Sequence, residues 1–216
     1  EHNKDIEYFD ALVGYFRVSG YFRIRQYLND IPKIRILVGI DVDKIVAKYN
    51  AKGLLFQGDA NQTLIEFLND AKQDIQTAKY SKDIEEGILQ FIEDISTKKI
   101  EIKAHPSKKL HAKIYIFRPE IWNEHNQGKV ITGSSNLSDS GLGGSKTSNY
   151  EFNVILESFD DVAFATNEFE KLWTEGIVIL PVEINKVKEE TYLNDSFTPF
   201  EVYMKFLIEY FGKSVE

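Results

Sequence analysis

Short runs rich in β-branched and aromatic residues alternate with segments of helical period along this chain, and that alternation restricts it to a sheet with helices packed on it. Ile34–Val38, Lys99–Lys103, Leu110–Phe117, Lys129–Thr132, Phe152–Leu156 and Ile177–Leu180 read as strands. Ser19–Asn29, Val42–Tyr49, Leu64–Ala78 and Asp160–Trp173 carry apolar residues at helical spacing. Ile84, Ile88, Phe91, Ile92 and Ile95 recur every three to four residues behind a cap at Asp83, with Glu86 in the capping-box position. The expected fold class is α/β, a mixed β-sheet flanked by helices. A chain of 216 residues buries one good core. Beyond Pro181, the charged segment Val182–Leu193 and the apolar helix Phe200–Phe211, ending at Gly212, read as a C-terminal helical appendage.

One of these strands carries chemistry. Side chains on a strand alternate between faces, so in Leu110–Phe117 the pair His111 and Lys113 projects together while Ala112, Ile114 and Ile116 go the other way. Lys129–Thr132 ends in the turn Gly133-Ser134-Ser135-Asn136, which offers hydroxyls, a carboxamide and backbone N–H groups able to hold phosphate oxygens. Ser134, Ser135 and Lys129 are thus candidate substrate ligands, with Lys129 and Lys146 flanking the loop. Glu151 stands just before the next apolar run, where its carboxylate can bond one ring nitrogen of His111 and fix the tautomer.

These residues resemble the phospholipase D superfamily, in its nuclease-type branch with a single His-x-Lys motif per chain. The family pattern, His-x-Lys followed by Gly-Ser-x-Asn, is matched by His111, Lys113, Gly133, Ser134 and Asn136. Asp10–Arg17 and Ile34–Gly39 look like early strands of the same domain, so the resemblance covers roughly residues 5 to 180. Where the full family motif carries an aspartate, this chain has Arg118, and Glu151 matches the downstream glutamate that takes the orienting role in single-motif members.

The resemblance implies a phospholipase D-like domain over residues 1–181, with 182–216 a helical appendage or linker to a following domain. It implies an enzyme, a metal-independent phosphodiesterase that acts as an endonuclease on DNA, DNA being favoured over RNA. One motif per chain implies a homodimer whose active site straddles a two-fold axis. In that scheme His111, Lys113, Asn136 and Glu151 are catalytic, one His111 becomes a phosphohistidine, and no metal or other cofactor is used. Pro199–Lys205 is similar to the linker found when such domains precede a helicase motor, which implies a helicase or restriction-type partner domain in a longer chain. The alternative is a noncatalytic module that recognises phosphate in nucleic acid or a protein partner through the same pocket.

Composition bounds these expectations. With 26 basic against 34 acidic residues the net charge is −8, so a nucleic-acid footprint has to be local. Lys98–Lys109 supplies one just before the motif strand, or else protects a strand edge. No cysteine and no apolar span of membrane length lead to the expectation of a cytoplasmic protein without membrane contact. In the loop Arg118–Gly128, Trp122 is expected to anchor packing more than to stack on bases.

Overall fold

The computed structural model of the protein describes residues 5–39, 51, 59–77, 82–106, 110–138, 140–143, 150–191 and 198–211. The chain order is β1 (Tyr8–Val13), α1 (Val18–Arg25) running into a 3-10 turn (Gln26–Leu28), β2 (Lys33–Val38), α2 (Ala60–Thr77), α3 (Lys82–Ser96), β3 (Ile100–Ala104), β4 (Lys113–Arg118), β5 (Lys129–Gly133), β6 (Asn153–Leu156), α4 (Phe159–Glu175), β7 (Ile177–Val178), α5 (Pro181–Glu189) and α6 (Pro199–Phe211). The expected helix Val42–Tyr49 lies outside the described residues, as do the side chain of Asp83 and Lys146.

Seven strands form one sheet in the order β6-β5-β4-β1-β2-β3-β7. β1, β2 and β3 run parallel, while β4, β5, β6 and β7 are antiparallel to their neighbours. This is the mixed α/β sheet that the alternation of elements demands. The central strands β1 and β2 are covered on both faces, which is why they read as near-continuous apolar runs.

Period-2 alternation sorts the strands onto two cores. Phe9, Ala11, Val13, Ile34, Ile36, Val38, Ile100, Ile102 and Tyr115 face α1, α2, α3 and α5, where Tyr21, Phe67, Phe91 and Ile184 are buried. Leu12, Leu37, Ile116 and Val130 face α4, through Val162, Phe169 and Trp173. Each fully buried side chain of this size stabilises by about 1.5–3 kcal/mol. α4 starts at Ser158, whose hydroxyl accepts from the Asp161 amide at 3.2 Å, with Asp160 and Asp161 in the first turn favouring the helix dipole. Trp122 packs on Phe159 with ring centroids 5.0 Å apart, so it anchors its loop as expected.

Two ionic clusters tie these layers. Asp10, fully buried, accepts from Arg35 at 2.6 and 2.8 Å, and Arg35 also donates to Glu170 of α4 at 2.6 Å. Arg118 completes this cluster, 3.4 Å from Asp10 and with its guanidinium 3.8 Å from the Tyr8 ring centroid. Two acids face two bases, which is how buried charge is tolerated. On the other face, Asp94 of α3 accepts from Tyr21 at 2.7 Å, Arg25 at 3.0 Å and Gln90 at 3.1 Å. Burial alone raises the Asp94 pKa, but the hydrogen bonds from Arg25 and Tyr21 and the Arg25 charge outweigh it and hold the carboxyl below its ordinary range.

α5 buries Ile184 and Val187 in the main core, whereas α6 exposes Phe200, Tyr203, Phe206 and Tyr210. No described helix is long and apolar enough to cross a membrane.

Candidate functional site

The ends of β1 and β2, the start of β4 and the end of β5 meet at one edge of the sheet, at the carboxyl ends of its parallel strands. Open α/β sheets place ligands at such an edge. Lys113 opens β4 opposite Val13, and His111 precedes it outside the strand. The ladder is shorter than the expected Leu110–Phe117 because β1 stops at Val13 and leaves no partner beyond, except that the Gly14 amide still donates to the Ala112 carbonyl at 3.0 Å. Gly14 is needed for that approach, since a Cβ there would meet the Leu110 carbonyl and lie 3.2 Å from the His111 Cα. Lys113 shares its strand face with Tyr115 and Phe117, so it continues the face that α1 covers further down.

His111 is exposed, and Lys113 is half-buried with its Nζ donating to the His111 carbonyl at 2.8 Å. Beside them β5 delivers the Gly133–Asn136 turn. Asn136 accepts from the Tyr15 amide through Oδ1 at 3.2 Å. Because a backbone N–H can only donate, this contact fixes the orientation of the carboxamide and leaves the Nδ2 donors for a ligand. The turn is pinned from behind by the Arg17 amide on the Leu137 carbonyl at 2.9 Å and by the Phe16–Leu137 bridge.

Glu151 reaches this group by a different route from the one expected. Its carboxylate accepts from the Ser134 hydroxyl, and that oxygen in turn accepts from the Phe152 amide at 3.0 Å. Among the described residues no hydrogen bond reaches the His111 ring. Ser135 is buried, its hydroxyl accepting from Asn153 Nδ2 at 2.8 Å and its carbonyl from the Tyr115 hydroxyl at 2.8 Å. Burial, then the Glu151 charge, raises the Tyr115 phenol above its ordinary range, so it stays a donor. Below the turn, on the same sheet face, a cavity of about 670 Å³ is lined by Tyr115, Phe117 and Ile131 together with Glu151 and Asn153.

Lys129 is not brought to this group. It starts β5, four residues before Gly133 and so roughly 13 Å away along the strand, and its Nζ pairs with Glu157 at 2.8 Å. Two lysines of the run before the motif are likewise engaged: Lys99, just ahead of β3, donates to the carbonyls of Asn29 and Ile31, and Lys103 of β3 to that of Trp173. Lys108 and Lys109 lie outside the described residues. His105 is buried and lies 3.2 Å from the Glu175 carboxylate. Among the described residues no three His, Asp or Glu side chains gather as a metal site would require. Sequence reasoning missed Tyr15, whose role is a backbone amide, and Asn153, which no motif marks. Tyr115 was findable from its spacing, two residues beyond Lys113 on the same face.

A histidine just ahead of a strand, the lysine that opens that strand and a serine and asparagine turn thus stand at the carboxyl edge of a mixed α/β sheet. The sequence profile of the family described as "cardiolipin synthase, PLD-like domain" matches residues 34–173. The chain belongs to this phospholipase D-like family, an enzyme family of the phosphodiesterase type. Among solved structures the chain is similar to Nuc of Salmonella typhimurium, a phospholipase D family member, at 11% identity and a TM-score of 0.42, covering 80% of this chain and 82% of that one. It is also similar to a mutant of yeast tyrosyl-DNA phosphodiesterase 1, at 12% identity and a TM-score of 0.34, covering 72% of this chain and 27% of that one. No curated protein matches by sequence.

Proposed function

We propose that the chain is a metal-independent phosphodiesterase, an endonuclease acting on DNA through a phosphohistidine in an active site shared by two copies. The observation that carries this reading is the convergence of His111, Lys113 and the Asn136 carboxamide, held by Tyr15, at one edge of the sheet. Phosphate recognition alone requires cations and N–H donors, not an exposed imidazole at its centre.

In the proposed cycle Nε2 of one neutral His111 attacks the phosphorus, and the P–O bond to the leaving strand breaks. The second copy's His111, protonated, donates its proton to the departing oxygen. That imidazole, now neutral, takes a proton from water as the water oxygen attacks the phosphohistidine, and the P–N bond breaks to release the first histidine. Lys113 leaves its resting bond to the His111 carbonyl and, with the Asn136 Nδ2, stabilises charge on the nonbridging oxygens. Ser134 binds substrate from the turn, Glu151 orients it through the Ser134 hydroxyl, and in the shared site the Glu151 carboxylate orients an imidazole.

Residues 1–181 are taken as the catalytic domain and 182–216 as the appendage leading to a helicase-type motor. Cleavage of a labelled DNA in EDTA, lost in His111→Ala by more than about a thousandfold, supports the reading. A nuclease stopped by chelation and indifferent to His111 contradicts it. DNA binding without cleavage at any His111 state identifies the phosphate-recognising module instead.

A further inference from the structure

We infer that Asn153 is a positioning residue for the phosphate turn, acting through Ser135; the inference rests on the phosphodiesterase reading of the same site. Asn153 opens β6, an edge strand, and is itself exposed, so core packing does not account for it. Its carboxamide meets Ser135 at two points, Nδ2 donating to the hydroxyl oxygen at 2.8 Å and Oδ1 facing the Ser135 amide at 3.4 Å. Asparagine alone among short side chains offers a donor and an acceptor in that geometry. The Tyr115 hydroxyl holds the Ser135 carbonyl from the opposite side at 2.8 Å. Ser135 is therefore gripped at its amide, its hydroxyl and its carbonyl.

That grip sits between the two residues that face the phosphate, Ser134, which bonds Glu151, and Asn136, which Tyr15 holds. A buried residue clamped on three atoms fixes the backbone on both sides of it, so Asn153 sets where the Ser134 hydroxyl and the Asn136 amide point. Gly133 lets β6 approach this closely: a Cβ there would lie 2.1 Å from the Phe152 carbonyl oxygen and 2.5 Å from the Asn153 Oδ1.

The test measures hydrolysis of bis(4-nitrophenyl) phosphate by Asn153→Ala, Ser135→Ala and the double variant, with thermal unfolding in parallel. Asn153→Ala is expected to lower kcat about 10- to 100-fold with KM within about threefold and both limbs of the pH profile unmoved. The double variant is expected to be no slower than Asn153→Ala, because both changes remove one interaction. Independently of turnover, backbone amide shifts in Asn153→Ala are expected to concentrate at residues 133–136. Multiplying losses, a KM rise at full kcat, activity that merely tracks the folded fraction, or amide shifts absent from the turn would each overturn the inference. If His111→Ala silences the protein while Asn153→Ala does not, only the positioning role fails; if His111→Ala is silent in effect, the reading beneath it fails.

Discussion

Replacing Gly14 by alanine tests how closely the site depends on the course of the chain before β4. Gly14 has no positive φ, so alanine suits its backbone and any effect must come from contact. An ideal Cβ at Gly14 would lie 2.3 Å from the Leu110 carbonyl oxygen and 3.2 Å from the His111 Cα. A carbon and a carbonyl oxygen settle at about 3.3 Å. The Leu110–His111 segment must therefore retreat by roughly 1 Å, and the Gly14 amide loses its bond to Ala112. Overpacking of this kind costs about 1–3 kcal/mol. For a chain of this length each kcal/mol lowers Tm by about 2–4 °C. The larger effect falls on chemistry, because a 1 Å displacement of a reacting group lowers kcat about 100-fold. Kinetics on a chromogenic phosphodiester at 20 °C, where the variant stays folded, separate the two effects. Gly39→Ala provides the graded control, since its Cβ would lie 2.9 Å from the Leu110 Cβ, 3.0 Å from the Leu110 carbonyl oxygen and 3.1 Å from the Gly14 carbonyl oxygen, and so asks a smaller retreat of the backbone than Gly14→Ala does. A Gly14→Ala protein with wild-type kcat, or a Gly39→Ala protein more damaged than Gly14→Ala, refutes the reasoning.

Arg118→Asp, which restores the residue of the full family motif, is expected to destabilise the fold by about 3–5 kcal/mol in urea denaturation, because it adds a third acid to Asp10 and Glu170 and removes a balancing cation; equal or greater stability contradicts the assigned cluster. Asp94→Asn is expected to be less stable than the parent at pH 7. Since the folded-state pKa of Asp94 lies below its unfolded value, the stabilisation is present above about pH 4 and lost as pH falls through the folded pKa. The gap between parent and variant should therefore close in acid, and a gap that widens on acidification has the wrong sign for this account. Tyr115→Phe leaves the Ser135 carbonyl without its donor and is expected to cost about 1–3 kcal/mol of stability and to slow hydrolysis, and an unaltered protein would exclude Tyr115 from the clamp.

Much of the fold was legible because its strands are short, apolar and well separated. β2, β5 and β6 fall within a residue of the runs Ile34–Val38, Lys129–Thr132 and Phe152–Leu156, and α4 within two residues of Asp160–Trp173. Strand order was not legible, since it is set by long-range pairing, as when β4 joins β1 across a hundred residues. Alternation put His111 and Lys113 on one face, yet it could not show that β1 ends at Val13 and leaves His111 outside the ladder. Lys129 looked close to the turn because the two are near in sequence, but a strand of 5 residues carries its ends to opposite edges of the sheet. Arg118 read as a departure from a motif, and only its partners, the buried Asp10 and the half-exposed Glu170, explain why a cation stands there. Ser135 looked like a substrate ligand because a hydroxyl in a turn usually faces water, whereas here Asn153 and Tyr115 turn it inward.

The central claim is covalent catalysis by His111. The protein is incubated in EDTA with a 32P-labelled oligonucleotide, quenched in alkali, which preserves a phosphoramidate, and digested for mass spectrometry. Label is expected on the peptide carrying His111 and is expected to be absent from His111→Ala. Hydrolysis that proceeds in EDTA with no adduct at any time, or an adduct on another residue, would contradict it.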